Sequence, residues 1–296
     1  MNMIRCRAVA FLLIAGVIAL IPIVTLGQSI RTGPKPATVI TGCGTKITSP
    51  GTYVLTGYVT GCDRNGVEIN SGDVTLDMGG FGFDTGCIGG CYRGQTGILV
   101  ADPAGGQISN VKILRGAAQD FDIGMSFVAV KRSQVTGVFL GNYSTTCLTL
   151  NSNARGDTSH NNLFTADGFG GCGEGVQGNS VYNTKFIGNH CNGLGNNTGT
   201  GIHILHGSGN ILSGNNCGAL TVAVDLGSDA TGNSVFGNQF FATMTGILIE
   251  SGSGKNTFRA NYLWHNNLDI DEENTGCGSD VWMKNVFDRS NQDCVH

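Results

Sequence analysis

The chain is predicted to be an all-β solenoid: a parallel β-helix of about ten coils with roughly 22–26 residues in each. Three observations carry this. Asn210-Ile211-Leu212-Ser213-Gly214-Asn215, Asn233-Ser234-Val235-Phe236-Gly237-Asn238 and Asn256-Thr257-Phe258-Arg259-Ala260-Asn261 start 23 residues apart each time (233 − 210, 256 − 233). A fixed period of this length means stacked repeats. Between these units apolar residues alternate: Ile202 and Ile204 flank His203, Val224 and Leu226 flank Asp225, Ile247 and Ile249 flank Leu248, and Leu268 and Ile270 flank Asp269. Alternation is the pattern of a strand with one buried face. The units are also rich in Gly, Asn, Ser and Thr, which disfavour helix interiors.

The repeat assigns most of the asparagines to structure. Asn189, Asn215, Asn238, Asn261 and Asn285 recur at steps of 26, 23, 23 and 24. On stacked coils their side chains lie one above another, about 4.8 Å apart. Amides so spaced can satisfy each other along the stack, and Asn tolerates the left-handed backbone of a sharp turn.

From its start, the chain opens with a secretory pattern over residues 1–27. Arg5 and Arg7 precede an apolar run from Ala8 to Leu20, and Thr25-Leu26-Gly27 offers small residues to a signal peptidase. An uncleaved anchor is the alternative, because the apolar run extended to Leu26 approaches the length of a membrane span. Residues 28–42 read as a linker with two of the five prolines, and residues 43–296 as one β-helix domain. With 48 Gly and no period of three, collagen is excluded. Only 13% of residues are charged, so the surface is covered by Asn, Ser, Thr and Gly. The net charge of −4 gives no reason to expect a nucleic-acid partner.

Of the 11 cysteines, Cys6 leaves with a cleaved signal, and the remaining ten fit an oxidising compartment: secreted, periplasmic or cell-surface. Coil spacing pairs Cys191 with Cys217 and Cys147 with Cys172. Cys43 with Cys62, Cys87 with Cys91, and Cys277 with Cys294 are the local pairs left over. The spacings match no common zinc pattern.

Ile47-Thr48-Ser49-Pro50-Gly51-Thr52-Tyr53-Val54-Leu55 is a turn and a strand, and Gly66-Val67-Glu68-Ile69 and Val74-Thr75-Leu76-Asp77-Met78 are two more. This opening, with the closing Cys277-Gly278-Ser279-Asp280-Val281-Trp282 and Asn291-Gln292-Asp293-Cys294, resembles bacterial right-handed parallel β-helix proteins of the pectate-lyase-like superfamily. The resemblance covers roughly residues 43–294. It implies a fold and says little about activity. Thr165-Ala166-Asp167-Gly168 and Leu205-His206-Gly207 are faint echoes of polygalacturonase-like hydrolases, whose Asp-Asp and Arg-Ile-Lys are absent. The patterns of pectin methylesterases, alginate epimerases and Arg-rich pectate lyases are absent too.

The row between the alternating apolar pairs reads Thr149, Gln177, His203, Asp225, Leu248, Asp269, which sets His203 beside Asp225 on the outer face. A His next to a carboxylate is suited to proton transfer, and its rival reading is an ordinary surface pair. The segment from Asn151 to Gly178 is the least regular and carries Arg155, Asp157, His160, Asp167 and Glu174. Loops on a rigid scaffold are where function concentrates, although an exposed Gly-rich insertion fits as well. The candidate catalytic set is therefore His203, Asp225, Asp167 and Glu174. A lyase acting on acidic polysaccharide would also need calcium or a basic groove, and Lys131-Arg132 is the one adjacent basic pair in the folded part. No other cofactor and no metal is indicated. No Gly-rich phosphate loop is present. Asn142 and Asn196 begin glycosylation-type triplets.

Two functions stay open. One is a secreted polysaccharide-binding β-helix of lyase or hydrolase type, with Tyr58, Tyr92, Phe236, Tyr262 and Trp264 as stacking platforms or packing residues. The other is a non-catalytic structural or adhesive rod.

Overall fold

The computed structural model describes residues 36–87, 94–193 and 198–295. The N-terminal segment, Cys91, Tyr92 and Asn196 lie outside them. Residues Lys35–His296 form one compact unit, and it is a parallel β-helix. Every strand pair is parallel, and each strand pairs with its counterpart one coil away, as in Ile211–Ser213 with Ser234–Phe236 and then Thr257–Arg259. One inward row can be followed from end to end: Ile47, Ile69, Val100, Phe127, Leu150, Gly178, Ile204, Leu226, Ile249 and Glu272. That makes ten coils.

The coils from Ile204 onward keep to 22 or 23 residues, whereas the earlier ones range from 22 (69 − 47) to 31 (100 − 69). Ile69 to Val100 takes 31 residues and Leu150 to Gly178 takes 28. The extra length sits in loops between strands, where the sheet register does not limit it. The first strand, Thr38–Ile40, pairs with Tyr53–Leu55, so part of the segment that reads as linker belongs to the solenoid.

The core is a column of aliphatic and aromatic side chains repeated coil by coil. Phe164 stacks on Phe186 at 5.3 Å between centroids and meets Phe127 in a tilted contact at 5.5 Å, and Phe258 stacks on Trp282 at 4.1 Å. Offset ring contact of this kind adds about 0.5–1.5 kcal/mol to area burial.

Two side-chain ladders close the turns. In one, Asn238 Nδ2 donates to Asn261 Oδ1 at 2.9 Å, and Asn215 Nδ2 donates to Asn238 Oδ1 at 3.0 Å. Asn189 and Asn285 extend the stack at either end. Each amide also satisfies backbone: the N–H of Asn215 donates to Asn238 Oδ1, and Asn238 Nδ2 donates to the Leu212 carbonyl. The other ladder uses the first Asn of each repeat unit. Thr184 N–H donates to Asn210 Oδ1, Asn210 to Asn233, Asn233 to Asn256, and Asn256 N–H to Asp280 Oδ1. The 23-residue spacing of Asn210, Asn233 and Asn256 is its signature in the sequence.

Among the described residues four disulfides tie the coils: Cys43–Cys62, Cys147–Cys172, Cys191–Cys217 and Cys277–Cys294. Cys191 and Cys217 are direct register partners on adjacent parallel strands. The pairing of Cys87 with Cys91 lies outside the described residues. No helix among the described residues is long and apolar enough to cross a membrane.

Candidate functional site

Strands Gly168–Gly178, Thr200–Ser208, Val222–Thr231, Thr245–Ile249 and Leu268–Glu272 form one sheet face. Val176, Ile202, Val224, Ile247 and Ile270 point inward in one row, with the next inward row two residues on. Between them the outward row is Gln177, His203, Asp225, Leu248 and Asp271. Here the alternation rule misplaces one residue. Asp269 is 2% exposed and faces inward, and Asp271 takes the place that the sequence pattern gives it. The cause is the corner before this strand, where Asp269 and Ile270 are both buried in succession. Asp269 is a staple: it accepts Asn266 Nδ2 at 2.8 Å and the N–H groups of Asp288 and Arg289 at 2.7 and 3.0 Å.

His203 sits between two carboxylates. Its Nδ1 is 4.0 Å from Glu174 Oε1 and its Nε2 is 3.8 Å from Asp225 Oδ2. Glu174 comes from the neighbouring coil, where it pairs in register with Thr200. These are ion-pair contacts, longer than hydrogen bonds. His203 Nε2, Asp225 Oδ1 and Glu174 Oε2 are buried atoms without a hydrogen-bond partner.

Glu250, the residue after Ile249, joins the cluster. His203, Asp225 and Glu250 each offer one ligand atom, and the three atoms lie within 4.8 Å of one another. Sequence reasoning passed over Glu250, although Glu250 and Glu273 stand 23 residues apart and each directly follows a strand. Each carboxylate accepts a serine N–H from the coil before it: Glu250 from Ser228 and Glu273 from Ser251.

The local charge is negative and uncompensated. The Lys and Arg ion pairs among the described residues lie elsewhere, at Glu68, Asp63 and Asp77. Burial pushes the Asp225 carboxyl up to about 6, the His203 charge pulls it down, and Glu250, Glu174 and Glu273 push it further up. The Glu174 carboxylate raises the His203 pKa, against burial. A carboxylate–imidazole–carboxylate array of this kind can hold and pass a proton.

The other candidates are placed differently. Asp167 does not join the row. It is 2% exposed and occupies the ladder position before Asn189: its Oδ1 accepts the Val138 N–H, and its own N–H donates to Asn189 Oδ1, both at 2.9 Å. Burial pushes its carboxyl up to about 7. Most of the segment from Asn151 to Gly178 is regular strand, and its one long irregular stretch is 152–158. There Asn153 ties the loop, accepting the Arg155 and Asp157 N–H groups and donating to Gly105 O and Asp157 Oδ2.

Each aromatic candidate among the described residues meets a neighbouring side chain, and Tyr58 and Tyr262 are also exposed. Trp264 stacks on Phe241 at 4.9 Å and meets Tyr262 at 4.8 Å, so the ring faces are turned to each other. The Arg259 guanidinium covers Phe236 at 5.5 Å. Tyr58 is 62% exposed and meets Phe81 edge-on. Beyond the register shift after Ile204, His206 pairs with Asp229 at 3.2 Å beside an open groove of about 520 Å³ that also involves Tyr182, Ser208 and Thr231.

No protein-family model matches the chain, and no curated protein matches it in sequence. Solved structures do. The Dettilon tailspike protein is similar over 83% of this chain, with 12% identity and a TM-score of 0.51, and the chain spans 61% of the tailspike's length. An alginate lyase from Paenibacillus is similar over 88% of this chain and 99% of its own, with 11% identity and a TM-score of 0.43. At these identities the likeness concerns the fold.

Proposed function

We propose that the protein is a secreted or surface β-helix that binds a polysaccharide along its coil face and cleaves it at Glu174, His203 and Asp225. The observation that carries this is one imidazole in reach of two carboxylates, Asp225 on its own outward row and Glu174 beside that row, with a buried, unpartnered polar atom on each of the three. A folded protein rarely leaves such atoms unpaired without a reason, because each costs about 1–3 kcal/mol. A substrate hydroxyl or glycosidic oxygen would supply the missing partners.

The charge selects the substrate class. Glu174, Asp225, Glu250 and Glu273 face the site with one His and no Lys or Arg pairing, and so repel a uronate chain. A glycan without carboxylates fits, and hydrolysis fits better than elimination from an acidic sugar. Glu174 and Asp225 flank the imidazole from the coil before and the coil after it, which places one carboxylate at each ring nitrogen for the acid and base roles of hydrolysis. The four disulfides suit an oxidising compartment.

The test is release of reducing ends from a panel of neutral and acidic polysaccharides. Asp225→Asn and Glu174→Gln should each lower the rate by about 100-fold or more, with urea midpoints no lower than that of wild type. Release of unsaturated ends from a uronate polymer would overturn the hydrolase reading. Glycan binding without any cleavage would leave an adhesive rod.

A further inference from the structure

We infer that His203, Asp225 and Glu250 form a binding site for one divalent transition-metal ion of the zinc or manganese class. The inference uses the row proposed above for glycan cleavage, but it rests on the donor geometry and holds whether or not a glycan is cut.

Three features point to it. The first is the donor set. One imidazole nitrogen with two carboxylate oxygens suits zinc and its neighbours better than the all-oxygen shell of calcium or magnesium. The three atoms lie within 4.8 Å of one another. In a tetrahedral site with bonds of about 2.1 Å the ligand atoms are about 3.4 Å apart. His203 Nε2 and Asp225 Oδ2, at 3.8 Å, are already close to that spacing.

The second feature is what these atoms lack. Asp225 is 8% exposed, its Oδ1 has no hydrogen-bond partner, and neither does His203 Nε2. An imidazole nitrogen and a carboxylate that face each other in a buried place without a hydrogen bond are poised around a third body. Glu250 is held in place by the Ser228 N–H at 3.1 Å on Oε2.

The third feature is the support behind the imidazole. A ligating histidine typically gives its other ring N–H to a carboxylate, which sets the tautomer and turns the free nitrogen to the metal. Glu174 Oε1, 4.0 Å from Nδ1, stands in that place. The array therefore reads as carboxylate, imidazole, cation. The ligands come from consecutive coils, so the pairing of His203 with Asp225 and of Leu226 with Ile249 holds them at one axial spacing. The sheet sets the site, and only side-chain torsions need adjust.

The experiment is titration of tag-free, EDTA-treated full chain with Zn²⁺, followed by calorimetry, and with Co²⁺, followed by its visible absorption. One equivalent should bind, with intense ligand-field bands indicating fewer than six ligands. Glu250→Gln and Asp225→Asn should each weaken Zn²⁺ binding by at least tenfold while the urea midpoint and circular dichroism show an intact fold. Glu174→Gln should weaken it less. His206→Ala, which removes the pair with Asp229, should leave it unchanged. Absence of a stoichiometric site, or one equivalent that survives both Asp225→Asn and Glu250→Gln, would overturn the inference. Cleavage by metal-free protein would overturn a role for the ion in the reaction but leave the hydrolase reading standing. Zinc binding without cleavage of any glycan would do the reverse.

Discussion

Replacing Asp167 by asparagine should make the protein more stable above neutral pH and flatten its pH dependence. In the ladder, Asn189 Nδ2 donates to the Phe164 carbonyl, Asn215 to Phe186, Asn238 to Leu212 and Asn261 to Val235. Asp167 occupies the same position one coil earlier, where the carbonyl matching Phe164 is that of Val135. Its Oδ2 has no partner and no proton to give when ionised. Burial pushes the carboxyl up to about 7, whereas the unfolded value is about 3.9. The folded state therefore prefers the protonated form. That stabilising contribution is complete below pH of about 4 and is lost as pH rises to about 7. Three pH units at about 1.4 kcal/mol each amount to about 4 kcal/mol. Asp167 is 2% exposed, so solvent screens little of this. Asn removes the titration and restores the missing donor. Urea melts of wild type and Asp167→Asn at pH 4.5 and pH 8 measure both. The variant should gain about 2–4 kcal/mol at pH 8 and much less at pH 4.5. Other buried carboxyls titrate in both proteins, so the difference between the two is the readout. A variant with the same pH slope as wild type, or one less stable at pH 8, would refute the reasoning.

Three further outcomes follow from the same structure. Asn238→Leu removes donors and acceptors on two neighbouring coils and should cost about 2–5 kcal/mol. Exposed Asn267→Leu should cost under about 0.5 kcal/mol, and equal urea midpoints for the two would show that the ladder bears no energy. Non-reducing peptide mapping should recover Cys191 linked to Cys217, and the double serine variant should lose about 2–4 kcal/mol for a bridge spanning 26 residues. Gly207→Ala should lower the melting temperature by several degrees or block folding. Gly207 has φ +149, and a Cβ there would lie 1.8 Å from the Val181 carbonyl oxygen; a wild-type melting curve would show that this bulge relaxes freely.

What the sequence determined by itself is the axial order of the solenoid. A period of 23 residues names the neighbour one coil away, and axial neighbours follow from counting. Cys191 over Cys217, Asn215 over Asn238 and His203 beside Asp225 are all contacts of this kind. What only the tertiary structure decided is lateral. Whether a residue faces in or out depends on how the backbone bends at each corner, and two successive inward residues there moved Asp269 into the core and Asp271 onto the surface. Which rows meet across a face depends on side-chain reach, and this brought Glu250 to His203 while leaving Asp167 in a turn. Local pattern also hides a residue whose bonds are to distant loops: Asn153 looks like a free surface amide, yet it holds Gly105 from 48 positions away. Strand pairing repeats with the chain and is written in its spacing. The convergence of charges from separate rows is a property of the folded surface, and no period encodes it.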